Sequence, residues 1–513
     1  MSVAQQRPNV VFIMADQMAA PALPFYGHAL VKTPHLAALA RDGVVFDAAY
    51  CNSPICAPSR FSMLTGRLPT TIGAFDNACE FAASRPTLMH YLRAAGYRTI
   101  LAGKMHFIGP DQLHGFDERL ITDIYPADFA WTPNWLAGPR DRPSGISMQN
   151  VIQAGVCVRS LQMDYDDEVE RLAIQRIYDL ARAPDRPPFF LTVSFSHPHP
   201  PFTIDQQHWD RYRHADIDAP AVGVIPVALR DQQSQWLHAS HRADVEPVTD
   251  EQVLAARHAY YGMLEYIDDK VGRLLGILDE CALRDDTIVV FASDHGEMLG
   301  ERGMWYKQTF FEWSARVPLI VNAPRRFAPR RVPEPVSLVD LLPTLTDLCD
   351  ARQPQWIDPI DGASLRPLLE GGAWHGERSV ISEYTDMGVC GPCRMLRRAT
   401  MKYVYVHGGR AQLYDLQQDP HEQHDLGGDA AHAPVENAMR EELLAGWNPE
   451  RVLAEVLASQ RRRLFIKSAT QAAAPVSWDF LVTPADRHRF VRASGAAGAK
   501  ARARFPFVPP APG

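Results

Sequence analysis

The chain has 513 residues, 46% hydrophobic and 22% charged, the balance of a globular protein long enough to bury more than one core. Its formal net charge of -8 excludes the global basic field of a nucleic-acid-binding protein. The basic run Arg461–Arg463 and the stretch around Lys500 read as solvated surface.

In chain order, a short polar start leads into the apolar run Val10–Met14. That run is too short for a secretory signal, and far short of the roughly 20 apolar residues of a membrane span. Its length and β-branched content predict a buried strand, ending just before Asp16 and Gln17. Helical patterns follow over Leu88–Ala95 and Asp166–Ala183. Phe189–Phe195 reads as a strand that runs out before His197 and His199. A long helical pattern, Val253–Leu278, precedes a strand at Thr287–Phe291, which ends ahead of Asp294 and His295. Val317–Val321 is another strand-like run. Strands alternating with helices predict an α/β fold: a large, mostly parallel or mixed sheet flanked by helices. In such sheets functional groups collect beyond the carboxyl ends of the strands, where these acids and histidines fall.

Near residue 370 the pattern shifts to short strands, Ser379–Tyr384, Met401–Val406 and Gln412–Leu416, which predict a smaller antiparallel C-terminal unit. The expected division is a catalytic domain over 1–370, a subdomain over 371–490, and a flexible or partner-packing tail over 491–513. The eight cysteines are scattered without a disulfide framework, so a reducing cytoplasm is the expected compartment. Cys390-Gly391-Pro392-Cys393 looks like a redox or zinc half-site, but no second pair follows it.

The strongest local signal is Cys56-Ala57-Pro58-Ser59-Arg60 continuing to Leu64-Thr65-Gly66-Arg67. This resembles the signature of the sulfatase family, within the alkaline-phosphatase-like superfamily, with every fixed position present. The resemblance implies that a formylglycine-generating enzyme oxidises Cys56 to formylglycine. Hydration of that aldehyde gives a geminal diol, of which one oxygen attacks sulfur and the other later expels sulfate. It also implies a divalent metal, calcium or alternatively manganese, to activate the nucleophile and screen sulfate oxygens. Asp16, Gln17, Asp294 and His295 match the family's metal positions, with Cys56 completing the shell. Gln17 and His295 depart from the acid and the Asn common in the family, which leaves the metal's identity open.

Gly103-Lys104-Met105-His106 is similar to the family's lysine–histidine element. By that similarity Lys104 holds a sulfate oxygen and His106 touches the formylglycine. Pro198-His199-Pro200-Pro201 resembles the segment bearing the leaving-group histidine, with His199 preferred to His197 by spacing. Lys307 aligns with the second family lysine, and Arg60 is expected to orient the diol.

Within the family the chain looks most like the choline sulfatases, through Gly109–Leu120, Thr122–Phe129, Asp76-Asn77, Asp164–Val169 and Ser459–Arg463. A quaternary ammonium has no N–H to donate, so aromatic faces and a carboxylate should hold it. Asn77, Trp131, Glu383, Trp478 and Asp479 are the expected substrate-binding residues. Between Pro139 and Ala154 the chain lacks the aromatic-rich, His-bearing stretch of the subfamily. The expected activity is hydrolysis of a small sulfate ester, choline sulfate first. Another alkyl or aryl sulfatase, or a phosphonate monoester hydrolase or phosphodiesterase, is the alternative. The phosphonate branch lacks the Lys104–His106 pair, and a dead binding module would have lost Cys56, Asp16 or Lys104. The expected partners are a small-molecule sulfate ester, the maturing enzyme and further copies of the chain, as a dimer or tetramer, with no nucleic acid and no membrane.

Overall fold

Aliphatic runs without a polar face are stable only inside a sheet covered on both sides, and the computed structural model places them there. It describes residues 7–183, 185–351, 355–374, 377–471, 478–480 and 504–506. The central sheet contains β1 (Asn9–Ala15), β2 (Val44–Tyr50), β3 (Arg98–Gly103), β4 (Glu118–Arg119), β5 (Phe189–Ser194), β6 (Thr287–Ser293), β7 (Arg316–Val317), β8 (Leu319–Asn322) and β9 (Arg330–Ser337). Their order is β7-β2-β8-β6-β1-β5-β3-β4, with β9 also on β2. The run from β6 to β4 is parallel, and β8 lies antiparallel to β6 and β2. The sheet is therefore mixed, its regular parallel part lying under the predicted site.

Side chains of a strand alternate between faces, and β1 feeds two cores. Val11 and Ile13 join a cluster with residues of α2 (Leu161–Ala181) and α3 (Asp250–Glu280). Val10, Phe12 and Met14 join a second cluster with α1 (Cys56–Thr65) and α4 (Leu341–Leu348). Val10 stands opposite both Phe190 and Ile288, so the carboxyl ends of β1, β5 and β6 reach one edge together. Helices α2 and α3 begin earlier than the apolar period predicts. Ser160 caps the first, and a Thr249–Gln252 capping box opens the second.

The small sheet is an antiparallel meander of β10 (Ser379–Tyr384), β11 (Cys393–Arg398), β12 (Met401–Val406) and β13 (Gln412–Asp415). It is followed by α5 (Ala433–Leu444) and α6 (Pro449–Gln471). Ala48 and Tyr50 of the central sheet share a hydrophobic cluster with Val380, Met395 and Val456. Burial pushes the Cys390 and Cys393 thiols above their ordinary pKa, the reverse of an activated redox pair. Of the expected flexible tail, only residues 504–506 are described. Arg504–Phe505 pairs with Arg159–Ser160, and the Arg504 guanidinium donates to the Gln153 and Val156 carbonyls at 2.7 and 2.8 Å. The remainder of the tail lies outside the described residues. Among the described residues no helix is long and apolar enough to cross a membrane.

Candidate active site

The aligned strand ends place Asp16 after β1, Lys104 after β3 and Asp294 after β6, and α1 brings Cys56 in its first turn. Ligand atoms of Asp16, Cys56, Asp294 and His295 all lie within 4.8 Å of one another, and all four residues are buried. Two carboxylates, an imidazole and the Cys56 position make an oxygen-rich, hard donor set of the kind that holds a divalent cation. The Cys56 Sγ is 3.2 Å from His295 Nε2 and 3.6 Å from Lys104 Nζ. Burial pushes His295 down to about 4, keeping the imidazole neutral and its nitrogen available.

Arg60 braces the cluster from behind. Fully buried, it donates through Nε to Asp294 Oδ2 at 2.8 Å and through Nη2 to Asp16 Oδ2 at 3.0 Å. Its Nη1 donates to the Lys104 carbonyl at 2.6 Å and to Ser194 Oγ at 2.9 Å. One guanidinium thus ties together the ends of four strand segments. Lys104 Nζ donates to Asp16. Burial opposes ionisation of that carboxyl, but Lys104, helped by Arg60, outweighs it and holds Asp16 well below the usual carboxylate range. Lys307 donates to the Gln17 side-chain oxygen, and the Gln17 amide donates to Glu297. Gln17 therefore links the second lysine to the acidic cluster.

His106 lies beside Cys56, and burial keeps its pKa below the ordinary value. Apart from the Cys56 side chain that the ring faces, neither ring nitrogen has a hydrogen-bond partner among the described residues. Two buried nitrogens with no other partner than a thiol fit a site completed by hydroxyl groups on that side chain. The Asp123 carboxylate accepts from the backbone N–H of Met105 and His106 at 3.0 and 2.7 Å, holding the loop. Gln17, His106, Tyr306 and Gln308 all have positive φ, a backbone conformation that costs energy in non-glycine residues and that the site holds in place.

A cavity of about 230 Å³ adjoins the cluster; its lining includes Ile55, Asn77, Tyr125, Trp131, His199, Lys307, Gln308 and Met387. The Tyr125 ring lies 4.3 Å from Lys104 Nζ and 5.1 Å from the Trp131 ring, and so joins the cluster to the cavity wall. Tyr125 Oη and the Pro200 carbonyl are each 2.8 Å from His199 Nδ1. The carbonyl can only accept, which fixes the proton on Nδ1 and leaves Nε2 for the cavity. His197 is instead engaged by Asp166 at 2.7 Å in the core.

With this geometry in place, the family profile for sulfatases matches residues 8–351. The chain belongs to the sulfatase family. It is a sulfuric ester hydrolase. Two further profiles match: the N-sulphoglucosamine sulphohydrolase C-terminal region over residues 300–447, and the choline sulfatase C-terminal region over 454–505. A choline-sulfatase of Rhizobium meliloti is 41% identical over 496 residues, 95% of this chain and 96% of its own length. Among solved structures, the phosphonate monoester hydrolase of Silicibacter pomeroyi superposes with a TM-score of 0.70 at 25% identity, covering 86% of this chain and 95% of that one. The phosphonate monoester hydrolase of Agrobacterium radiobacter gives 0.68 at 27%, covering 88% and 96%.

Most residues expected at the site of this sulfatase do converge. Asn77 and Trp131 line the cavity beside His199 and Lys307. Glu383 is buried and is not among the residues that line the cavity; it accepts from Thr70 N and Oγ1 at 2.8 and 3.0 Å and pairs with Arg394 at 3.1 Å, so it braces the small sheet. Trp478 packs edge-on against Phe129 at 5.1 Å, with the half-buried Asp479 beside it, and neither lines the cavity. Sequence reasoning misses Tyr125, Asp123, Gln308 and Met387. Tyr125 and Asp123 fall inside the subfamily-like run Thr122–Phe129, a signal that was available; Gln308 and Met387 carry none.

Proposed function

We propose that this sulfatase hydrolyses choline sulfate, consuming one water and releasing choline and hydrogen sulfate, with Cys56 converted to formylglycine by a maturing enzyme. The observation that carries the reading is the pairing of the buried Cys56–Asp16–Lys104 cluster with a cavity walled by the Tyr125 and Trp131 rings. Aromatic faces recognise a quaternary ammonium that offers no hydrogen-bond donor. The identity shared with a choline-sulfatase over 95% of the chain supports the same reading. Glu383 is committed to Arg394, so the rings carry the cation recognition.

Formylglycine at position 56 supplies the oxygen nucleophile. Asp16, Asp294, His295 and residue 56, with Gln17 beside them, would hold a divalent cation, calcium or manganese, which when bound lowers the nucleophile's pKa and screens the sulfate oxygens. Lys104 and Lys307 offer ammonium N–H groups to the equatorial sulfate oxygens, whose charge must be met in a water-poor site. Once it has taken up a second proton at Nε2 with the ester bound, His199 delivers that proton to the departing alkoxide oxygen and returns to the neutral ring, its Nδ1–H being held by Pro200 and Tyr125. Burial, with the nearby Lys307 and Lys104 ammonium groups, keeps His199 well below its ordinary pKa before substrate arrives. The anionic ester raises its proton affinity on binding. His106, whose ring nitrogens have no other partner than residue 56, is placed to bond the hydroxyl groups there.

The test is steady-state turnover of choline sulfate, 4-nitrophenyl sulfate and a phenylphosphonate monoester, on enzyme whose formylglycine content is known by mass. The expected result is a higher kcat/KM for choline sulfate than for either competitor. Preference for the aryl sulfate would remove the substrate and keep the chemistry. Preference for the phosphonate would move the chain's activity to that of its structural neighbours.

A further inference from the structure

One face of α6 grips the segment that carries Trp131. Gln460, Arg463 and Lys467 recur on that helix at the spacing of a single face. Gln460 Oε1 accepts from the Trp135 N–H at 3.0 Å, and Lys467 Nζ donates to the Ala130 carbonyl at 2.7 Å. Between them Arg463 Nη1 reaches Thr132 Oγ1 at 3.3 Å.

The same guanidinium clamps Asp76 with two bonds, 2.7 and 2.6 Å, where the two side chains are 6% and 0% exposed. Asp76 leads directly into Asn77, a cavity residue whose Oδ1 accepts from the Ala57 N–H at 2.9 Å, one residue beyond Cys56. Arg463 therefore contacts both chain segments that supply Asn77 and Trp131 to the cavity lining, and it contacts neither at a residue that lines it.

We propose that Arg463 is a positioning residue for leaving-group selectivity, setting the Asn77 wall against the Trp131 wall through Asp76 and Thr132. The inference rests on the cavity being the leaving-group pocket, as read above, and not on choline being the leaving group. A planar fork bonding one carboxylate at two points fixes orientation as well as distance, which a lysine's single ammonium cannot do. The buried charge also has a second function. Asp386, whose Oδ2 accepts from Asn77 N at 3.0 Å, is pushed well above the usual carboxylate range by burial and by Asp76, and Arg463 is the cation that offsets this pair of acids.

The test uses the full-length protein at matched formylglycine content, as Arg463→Lys and, separately, Lys467→Met, which loosens the same segment without touching the buried ion pair. The readouts are kcat/KM for choline sulfate and for 4-nitrophenyl sulfate, and inhibition by inorganic sulfate. We expect the ratio of the two kcat/KM values to shift about tenfold in Arg463→Lys, mostly through KM. Lys467→Met should move it in the same direction by less, with sulfate inhibition unchanged in both. Equal losses on both esters together with weakened sulfate inhibition would make Arg463 a general structural brace and overturn the proposal, as would an unchanged ratio. Should Arg463→Lys fail to fold, the ratio in Lys467→Met decides by the same criteria. The wild-type ratio separately judges choline as substrate, because the Arg463 test reads only the change from wild type.

Discussion

At the scale of single residues, Cys56 and Trp131 carry the two halves of the proposed reaction, and each can be removed separately. Cys56→Ala deletes the only precursor of the nucleophile, while the helix that bears it stays capped by Asn77. Turnover of every sulfate ester should fall to background with the unfolding midpoint little changed, and substantial residual turnover would refute the formylglycine mechanism. Trp131→Ala removes a half-buried ring 5.1 Å from Tyr125. If that ring faces a cation, kcat/KM should fall about tenfold more for choline sulfate than for neutral-leaving-group 4-nitrophenyl sulfate; equal losses would make it plain packing. At this scale the sequence is most legible where chemistry restricts residue choice. The Cys56–Arg67 signature, Asp16, Lys104 and Asp294 are all readable because few side chains can do their work. Glu383 is not, since an acid that braces Arg394 and one that binds a cation look alike in a sequence. Gln308 is not either, because its cavity position follows from a positive φ that nothing local announces.

At the scale of elements, the strand ends fix the site, and β3 shows how little room they leave. Gly103 closes β3 with φ +112°, and a Cβ there would lie 1.9 Å from the Ser194 carbonyl oxygen of β5. The next residue, Lys104, donates its backbone N–H to that same carbonyl at 3.0 Å. Gly103→Ala must push the two strands apart where they present Lys104 and the Arg60 contact to Ser194. Chemical denaturation should show a loss of about 2–3 kcal/mol, with turnover reduced even in the folded fraction. A folded, fully active variant would mean that the loop absorbs the change. The strands themselves are legible as apolar runs, since β1 is buried on both faces and has no polar period to confuse the reading. Helix starts are less so: α2 begins at Leu161 on a Ser160 cap, ahead of the apolar period, because a cap is a hydrogen-bonding event and not a hydrophobic one. The helices α5 and α6 fall in the expected α+β subdomain but are not placed by the sequence pattern, which their exposed faces weaken.

At the scale of the whole molecule, the two sheets are joined by a buried charge network as well as by a shared apolar cluster. Lys402 on β12 pairs with Glu312 at 2.6 Å and Glu422 at 2.8 Å, and donates to the Phe310 carbonyl at 2.8 Å. Glu312 in turn accepts from the Tyr50 hydroxyl of β2 at 3.0 Å, so the path runs from one sheet to the other. Burial opposes ionisation of Glu312, but Lys402, followed by Arg316 and Arg397, prevails and holds its carboxyl at about 2. A folded pKa below the unfolded value of 4.5 means that the unfolded chain binds the proton first. This contribution to stability is therefore complete above about pH 5 and is lost as pH falls from there toward 2. Lys402→Met should cost about 3–5 kcal/mol at pH 7, because it takes the paired cation from the buried Glu422 and leaves Glu312 beside it with Arg316 as its ion-pair partner. In that variant the dependence on pH shifts toward Glu422: burial already raises its carboxyl above the ordinary value, Lys402 no longer opposes this, and acidification relieves the buried charge. The difference in urea midpoint between wild type and variant should accordingly narrow from pH 7 to pH 5. A difference that stays constant across that range would show that the lost stability comes from packing of the Lys402 stem and not from its charge.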